Sequence, residues 1–220
     1  MLDAATISMI LGGVRDSLYM IIFSTVISYL IGLPLGVALI VTDKDGIHPL
    51  PLFNAVLGFV INLLRSVPFL ILLFLVMPFT QFVVGTSFGV KATIVPLIIS
   101  AAPYIARLVE SSFKEIDRGV IEAAQSMGAS SWQIITKVIL PESKPSLLVG
   151  SVIAATTILG YSAMAGVVGG GGLGDIAIRY GYYRYQEDLM YICVILLLII
   201  VQIIQEVGMR IATKSDKRLS

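Results

Sequence analysis

A chain of 220 residues, 57% of them hydrophobic and 13% charged, has too little polar surface to clothe a water-soluble globule. Its mean hydropathy of +0.94 marks an integral membrane protein. The net charge of +1 gives no reason to expect nucleic acid as a partner.

Charge-free runs at 17–42, 66–90, 145–174 and 189–205 approach or exceed the roughly 20 residues that a helix needs to cross a bilayer core. Alternating polar and apolar strands are absent, which favours an all-α bundle over a barrel. Five spanning helices are expected, at 14–41, 52–78, 88–113, 145–168 and 187–210, with Pro34, Pro68, Pro96 and Pro103 tolerated inside them. A rival division that turns at Arg65 and Lys91 would give six helices with almost no loop at those turns. Asp3 lies in an N-terminal segment with no basic residue before Arg15, so no removable signal peptide is expected. Cys193, in the last apolar run, reads as a small core residue.

In this division Lys44, Arg107, Lys114, Arg118, Lys137, Lys144, Arg210, Lys214, Lys217 and Arg218 share one side, against Arg15, Lys91, Arg179 and Arg184 on the other. The positive-inside rule then places the first group in the cytoplasm and the N-terminus outside. Arg65 is left in an apolar span, where an arginine costs about 2.5–3.5 kcal/mol unless paired or hydrated. It either attracts a substrate carboxylate or makes a structural bond to helix carbonyls or an acid, and both readings stand.

The most polar part of the chain is the 107–144 loop. Glu122-Ala-Ala-Gln-Ser-Met-Gly128 reads as a short helix that starts near Glu122 and ends at Gly128. Ser130 and Gln133 form a capping box opening a second helix that Pro141 stops. Exposed small residues, Ala123 and Ala124, and one carboxylate fit a partner's groove; spacing alone equally allows an amphipathic connector on the membrane surface. Trp132 is expected to pack within the loop. His48 is a lone loop histidine without metal-ligand spacing.

Downstream, Gly160-Tyr-Ser-Ala-Met-Ala-Gly166 runs into a glycine-rich stretch ending at Asp175 and then Tyr180-Gly-Tyr-Tyr-Arg-Tyr185. Small residues let membrane helices approach closely. Gly169, Gly171 and Gly174 match a dinucleotide-binding spacing, but a spanning helix rather than a strand precedes them, so the match is accidental. No Walker A sequence is present, and no nucleophile with a base, so the chain is not expected to be an enzyme. Met164 is the one long, flexible side chain in 162–166; with Tyr161 it is a candidate gate, while plain packing is an equal reading.

The segment from Glu122 to Pro141 resembles the EAA signature of ABC-importer permeases, with Val138 where Ile is usual. The 160–185 region, with Arg65-Ser-Val-Pro-Phe69, Gly85-Thr-Ser87, Ala101-Ala-Pro103 and Arg107-Leu-Val-Glu110, resembles the methionine-uptake branch of that family. The resemblance implies a type I importer bundle spanning 14–210, with an external segment 1–13, a cytoplasmic coupling loop 114–144 and a cytoplasmic tail 211–220. It implies coupling to an ATPase through Glu122, Ala123, Ala124, Gly128 and Pro141; Arg65, Tyr161 and Met164 remain pathway candidates from the residues themselves. The implied partners are a second copy of the chain, two ATP-binding subunits that hold ATP and Mg, an external methionine-binding protein and the lipids of a bacterial cytoplasmic membrane. Transport of another amino acid, or an ion-coupled secondary carrier, are the alternatives; the carrier is disfavoured by the lack of inverted repeats and midplane acids.

Overall fold

The computed structural model describes residues 3–216, and these are helical almost throughout, with no strand. The first helix, α1 (Ala4–Val41), starts ten residues earlier than the expected 14, because Asp3 accepts a hydrogen bond from the Thr6 amide at 2.8 Å and caps it. That bond also holds the Asp3 carboxyl below its ordinary pKa.

The expected second span, 52–78, is broken. Helix α2 (Pro51–Ser66) ends at Val67 and Pro68, both extended, and α3 (Phe69–Leu75) leaves at 101° to it. Proline disfavours a helical conformation at the residue before it, and here neither Val67 nor Pro68 is helical. Pro34, Pro96 and Pro103 stay inside α1 and α5, as expected. A third piece, α4 (Met77–Val84), ends on the left-handed Gly85.

Then come α5 (Val90–Lys114), α6 (Arg118–Ser126) and α7 (Ser131–Ile134), which widens into a π-turn (Ile135–Ile139) before α8 (Leu140–Glu142). Helix α9 (Lys144–Ala165) leads through a 3-10 turn to α10 (Gly172–Ile176) and a second π-turn (Ala177–Tyr182). Helix α11 (Glu187–Ser215) closes the chain, so 211–215 of the expected tail are helical. Lys217 and Arg218 lie outside the described residues.

Among the described residues four helical segments are long and apolar enough to cross a membrane, or five if the bent α2–α3 pair is one span. Helix α5 is the hub. Leu97, Ile105, Ala106 and Val109 on it are fully buried, against α1 on one side and α9 on the other. Leu30, Leu52, Phe82 and many other large apolar side chains remain exposed on the single chain, as lipid or a second protein surface requires.

The glycine-rich stretch folds back into the bundle rather than looping free of it. A side chain on Gly174 would run into the Ala163 backbone, and one on Gly172 would meet Ser17 Oγ at 2.6 Å. Ser17 Oγ accepts the Leu173 amide at 2.9 Å, and Thr93 Oγ1 donates to the Gly170 carbonyl at 3.1 Å. Glycine here permits close backbone approach, not flexibility.

Candidate coupling site and pathway

Helix α6 carries the polar signature. Its N-cap is Asp117, which accepts the Gly119 amide at 2.7 Å, so Glu122 stands inside the helix and does not begin it. The spacing misplaced the start because Asp117, five residues upstream, was not read as a cap. Ile121 and Ala124 turn inward against the core, while Glu122, Ala123 and Gln125 are exposed.

The far end of α6 is as expected. Gly128 has φ +79°, its amide donates to the Gln125 carbonyl at 2.9 Å, and the Ala129 amide donates to the Ala124 carbonyl at 3.1 Å. This is a Schellman cap, which needs a left-handed residue at this position. Two residues later the Ser130–Gln133 capping box opens α7, with the Ser130 amide on Gln133 Oε1 at 2.8 Å.

Pro141 does not stop that helix. It lacks the N–H that would bond four residues back, and the π-turn before it absorbs the missing bond: the Leu140 amide reaches the Ile135 carbonyl. The helical path therefore runs on to Glu142. Trp132 does not pack within the loop either, being 73% exposed, and Met127 is 87% exposed. Two large apolar side chains thus flank the Gly128 turn on its outer surface.

The 42–50 loop ties this module to the bundle. Asp45 pairs with Arg118 at 3.4 Å, Asp43 with Lys114 at 3.8 Å, and His48 Nε2 lies 2.6 Å from Ser131 Oγ. Between loop and module is a cavity of about 400 Å³, reached by Glu122, Gln125, Arg118 and Lys114 over an apolar floor that includes Phe113 and Ile139. No local pattern marks this loop as the clamp, since its partners are far away along the chain.

One layer deeper, Glu110 is 7% exposed. It is held by Arg107 at 2.6 Å and Lys114 at 2.7 Å, and Arg107 also donates to the Gly58 carbonyl at 3.0 Å. A buried carboxylate is tolerable only with such partners. The group fastens α2 to α5 below the break.

The break itself gathers the pathway candidates. Arg65 sits in the last turn of α2, its guanidinium 5.9 Å from the Tyr104 ring centroid. Across the break, Phe69 stacks on Tyr161 of α9 with centroids 4.6 Å apart. Met164 lies about one turn beyond Tyr161 and is 47% exposed. Tyr104, beside Arg65, and Phe69, buried under Tyr161, carry no sequence signal of their own. Among the described residues no group of three or more His, Cys, Asp or Glu side chains could hold a metal ion.

The pattern described as binding-protein-dependent transport system inner membrane component matches residues 32–220. The chain belongs to that family. It is 49% identical to a probable D-methionine transport system permease protein of Vibrio cholerae, over 92% of this chain and 90% of the relative. It is 44% identical to the methionine import system permease protein of Bacillus subtilis, over 82% and 81%. Among solved structures, the inward-facing MetNI methionine ABC transporter superposes with a TM-score of 0.96 at 42% identity, covering 98% of this chain and 100% of that one. An amino acid ABC transporter crystallised with histidines shares the fold, with a TM-score of 0.77 at 19% identity. As a member of this transport-component family, the chain is a multi-pass membrane permease subunit.

Proposed function

We propose that this chain is the permease subunit of an ATP-driven importer that carries methionine across a bacterial cytoplasmic membrane. The carrying observation is the near full-length identity with methionine permeases, joined to an exposed helix α6 held by a Schellman turn and a three-point loop clamp. Two copies would enclose the pathway at their shared axis, since at most five spans enclose little by themselves. Two ATPase subunits, which hold ATP and Mg, would seat on α6 and α7 through Glu122, Ala123, Ala124 and the Gly128 turn, with Met127 and Trp132 as apolar anchors. Pro141, on the helix that returns to the bundle, would relay their movement. An external methionine-binding protein would deliver substrate at the opposite end.

In this reading the chain performs no chemistry. Hydrolysis in the partner would shift α6, the clamp at Asp43, Asp45 and His48 would pass the shift to α1 and α5, and the α2–α3 break with its Phe69–Tyr161 contact would move the pathway wall. Met164 would narrow the route where α9 ends. The test is uptake of radiolabelled methionine into vesicles holding the permease, its ATPase and the binding protein. ATP-dependent accumulation is the expected result, and uptake that needs an ion gradient but no ATP would defeat the reading.

A further inference from the structure

We infer that Arg65 is a recognition point for the substrate's carboxylate at mid-membrane, with Tyr104 as its support. This rests on the importer reading and adds to it a chemical role for one residue. Tyr104 lies fourteen residues after the start of α5 and ten before its end, so the guanidinium beside it stands near the middle of the span. A charge there needs a counter-charge or water. Among the described residues Arg65 has neither a hydrogen bond nor an ion pair, and its guanidinium lies 5.9 Å from the centroid of the Tyr104 ring.

A second copy of the chain does not supply the missing carboxylate. Asp16 is paired with Arg15, Glu110 with Arg107 and Lys114, Asp175 with Arg179 and Glu206 with Arg210, while Glu187 and Asp188 stand in the first turn of α11, at the end of its span and not at the middle. Nor does the structural alternative hold, because Arg65 meets no helix carbonyl, whereas Arg107 does. The residue is exposed on the chain surface at the point where α2 breaks, and beyond the break the half-buried Tyr161 ring lies over the buried Phe69. A planar guanidinium matches a carboxylate with two parallel N–H donors, and a contact with a ring face 5.9 Å away takes up none of them.

The test uses the full complex in vesicles and reads methionine uptake beside ATP hydrolysis stimulated by the binding protein. R65Q, uncharged but polar, should lower uptake tenfold or more while stimulated hydrolysis stays within twofold of wild type; R65K, which keeps the charge, should retain several times the uptake of R65Q. Uptake by R65Q within twofold of wild type overturns the inference. So does a parallel loss of hydrolysis and of ATPase association, which marks a structural role. The same comparison in phosphatidylcholine vesicles and in vesicles rich in anionic lipid separates a lipid phosphate from the substrate: an R65Q defect that changes tenfold between them overturns the substrate assignment. Wild-type vesicles that import a different amino acid overturn the methionine reading instead, and the Arg65 comparison is then made with that amino acid.

Discussion

Phe69 and Tyr161 lie face to face, their ring planes 4° from parallel, and they join the short helix after the α2 break to the helix that carries Met164. Offset or stacked aromatic pairs contribute about 0.5–1.5 kcal/mol beyond the area they bury. The contact ties α3 to α9, so a shift of α9 that carried Met164 would also load α3.

Cysteine at position 164, in a background with Cys193 replaced by serine, is expected to cross-link between two copies in one nucleotide state and less in another. Met164 is half-exposed on the single chain, so the substitution removes little packing. A variant that assembles with its ATPase yet gives no cross-link in any nucleotide state would take Met164 off the axis.

Glu110 sets the second expectation. Replacing it with glutamine leaves Arg107, a quarter exposed, facing Gly58 without its carboxylate. Breaking a buried pair this way destabilises by about 3 kcal/mol, at the low end for such pairs because the guanidinium keeps one carbonyl and some exposure. Replacing both partners, as R107M with E110L, should recover at least half of that loss. Thermal unfolding of the purified subunit measures both; a double variant less stable than E110Q would mean that the Arg107–Gly58 bond to α2, which R107M removes, outweighs the cost of the uncompensated charge.

The all-α membrane bundle was legible because charge-free runs of bilayer length admit few other structures. Ser130 with Gln133 was legible too, since a capping box acts over three residues, and so was Gly128, whose left-handed turn is a local need. What escaped was non-local or depended on one backbone choice. Pro68 breaks its helix while Pro34, Pro96 and Pro103 do not, and all four sit in similar apolar sequence. Pro141 was expected to stop a helix, but a π-turn can absorb a missing N–H, and no local residue type announces one. The clamp of Asp45 on Arg118 and His48 on Ser131 spans 73 and 83 residues, beyond any periodicity argument.

Sidedness is open to direct labelling. In a Cys193→Ser background, cysteine at Tyr185, which is strongly exposed at the end away from α6, should react with an impermeant maleimide in intact cells. Cysteine at Met127 should react only after the membrane is opened. The reverse pattern would invert the orientation given by the cation asymmetry, and labelling of both sites from outside would break the five-span arrangement.

Gly128 carries the sharpest expectation about coupling. Its φ of +79° is a conformation that L-residues adopt at a cost of about 1–2 kcal/mol, and β-branched side chains least readily. Space is not the obstacle, because nothing lies within 4 Å of where a Cβ would stand. Valine at this position would therefore unwind the Schellman turn, releasing the Ala129 amide from the Ala124 carbonyl and turning α6 away from the Ser130–Gln133 cap. Alanine pays the same kind of strain with less bulk, so Gly128→Ala should fall between valine and wild type. Both variants should insert in the membrane and fold, since the turn lies outside the spans and Gly128 itself is exposed. Co-purification with the ATPase and the number of ATP molecules hydrolysed per methionine imported are the readings. Weaker association, or hydrolysis that rises relative to uptake, is expected in the order glycine, alanine, valine. Wild-type association and coupling in the valine variant would show that the partner does not depend on this turn, and the seat proposed on α6 would have to be abandoned.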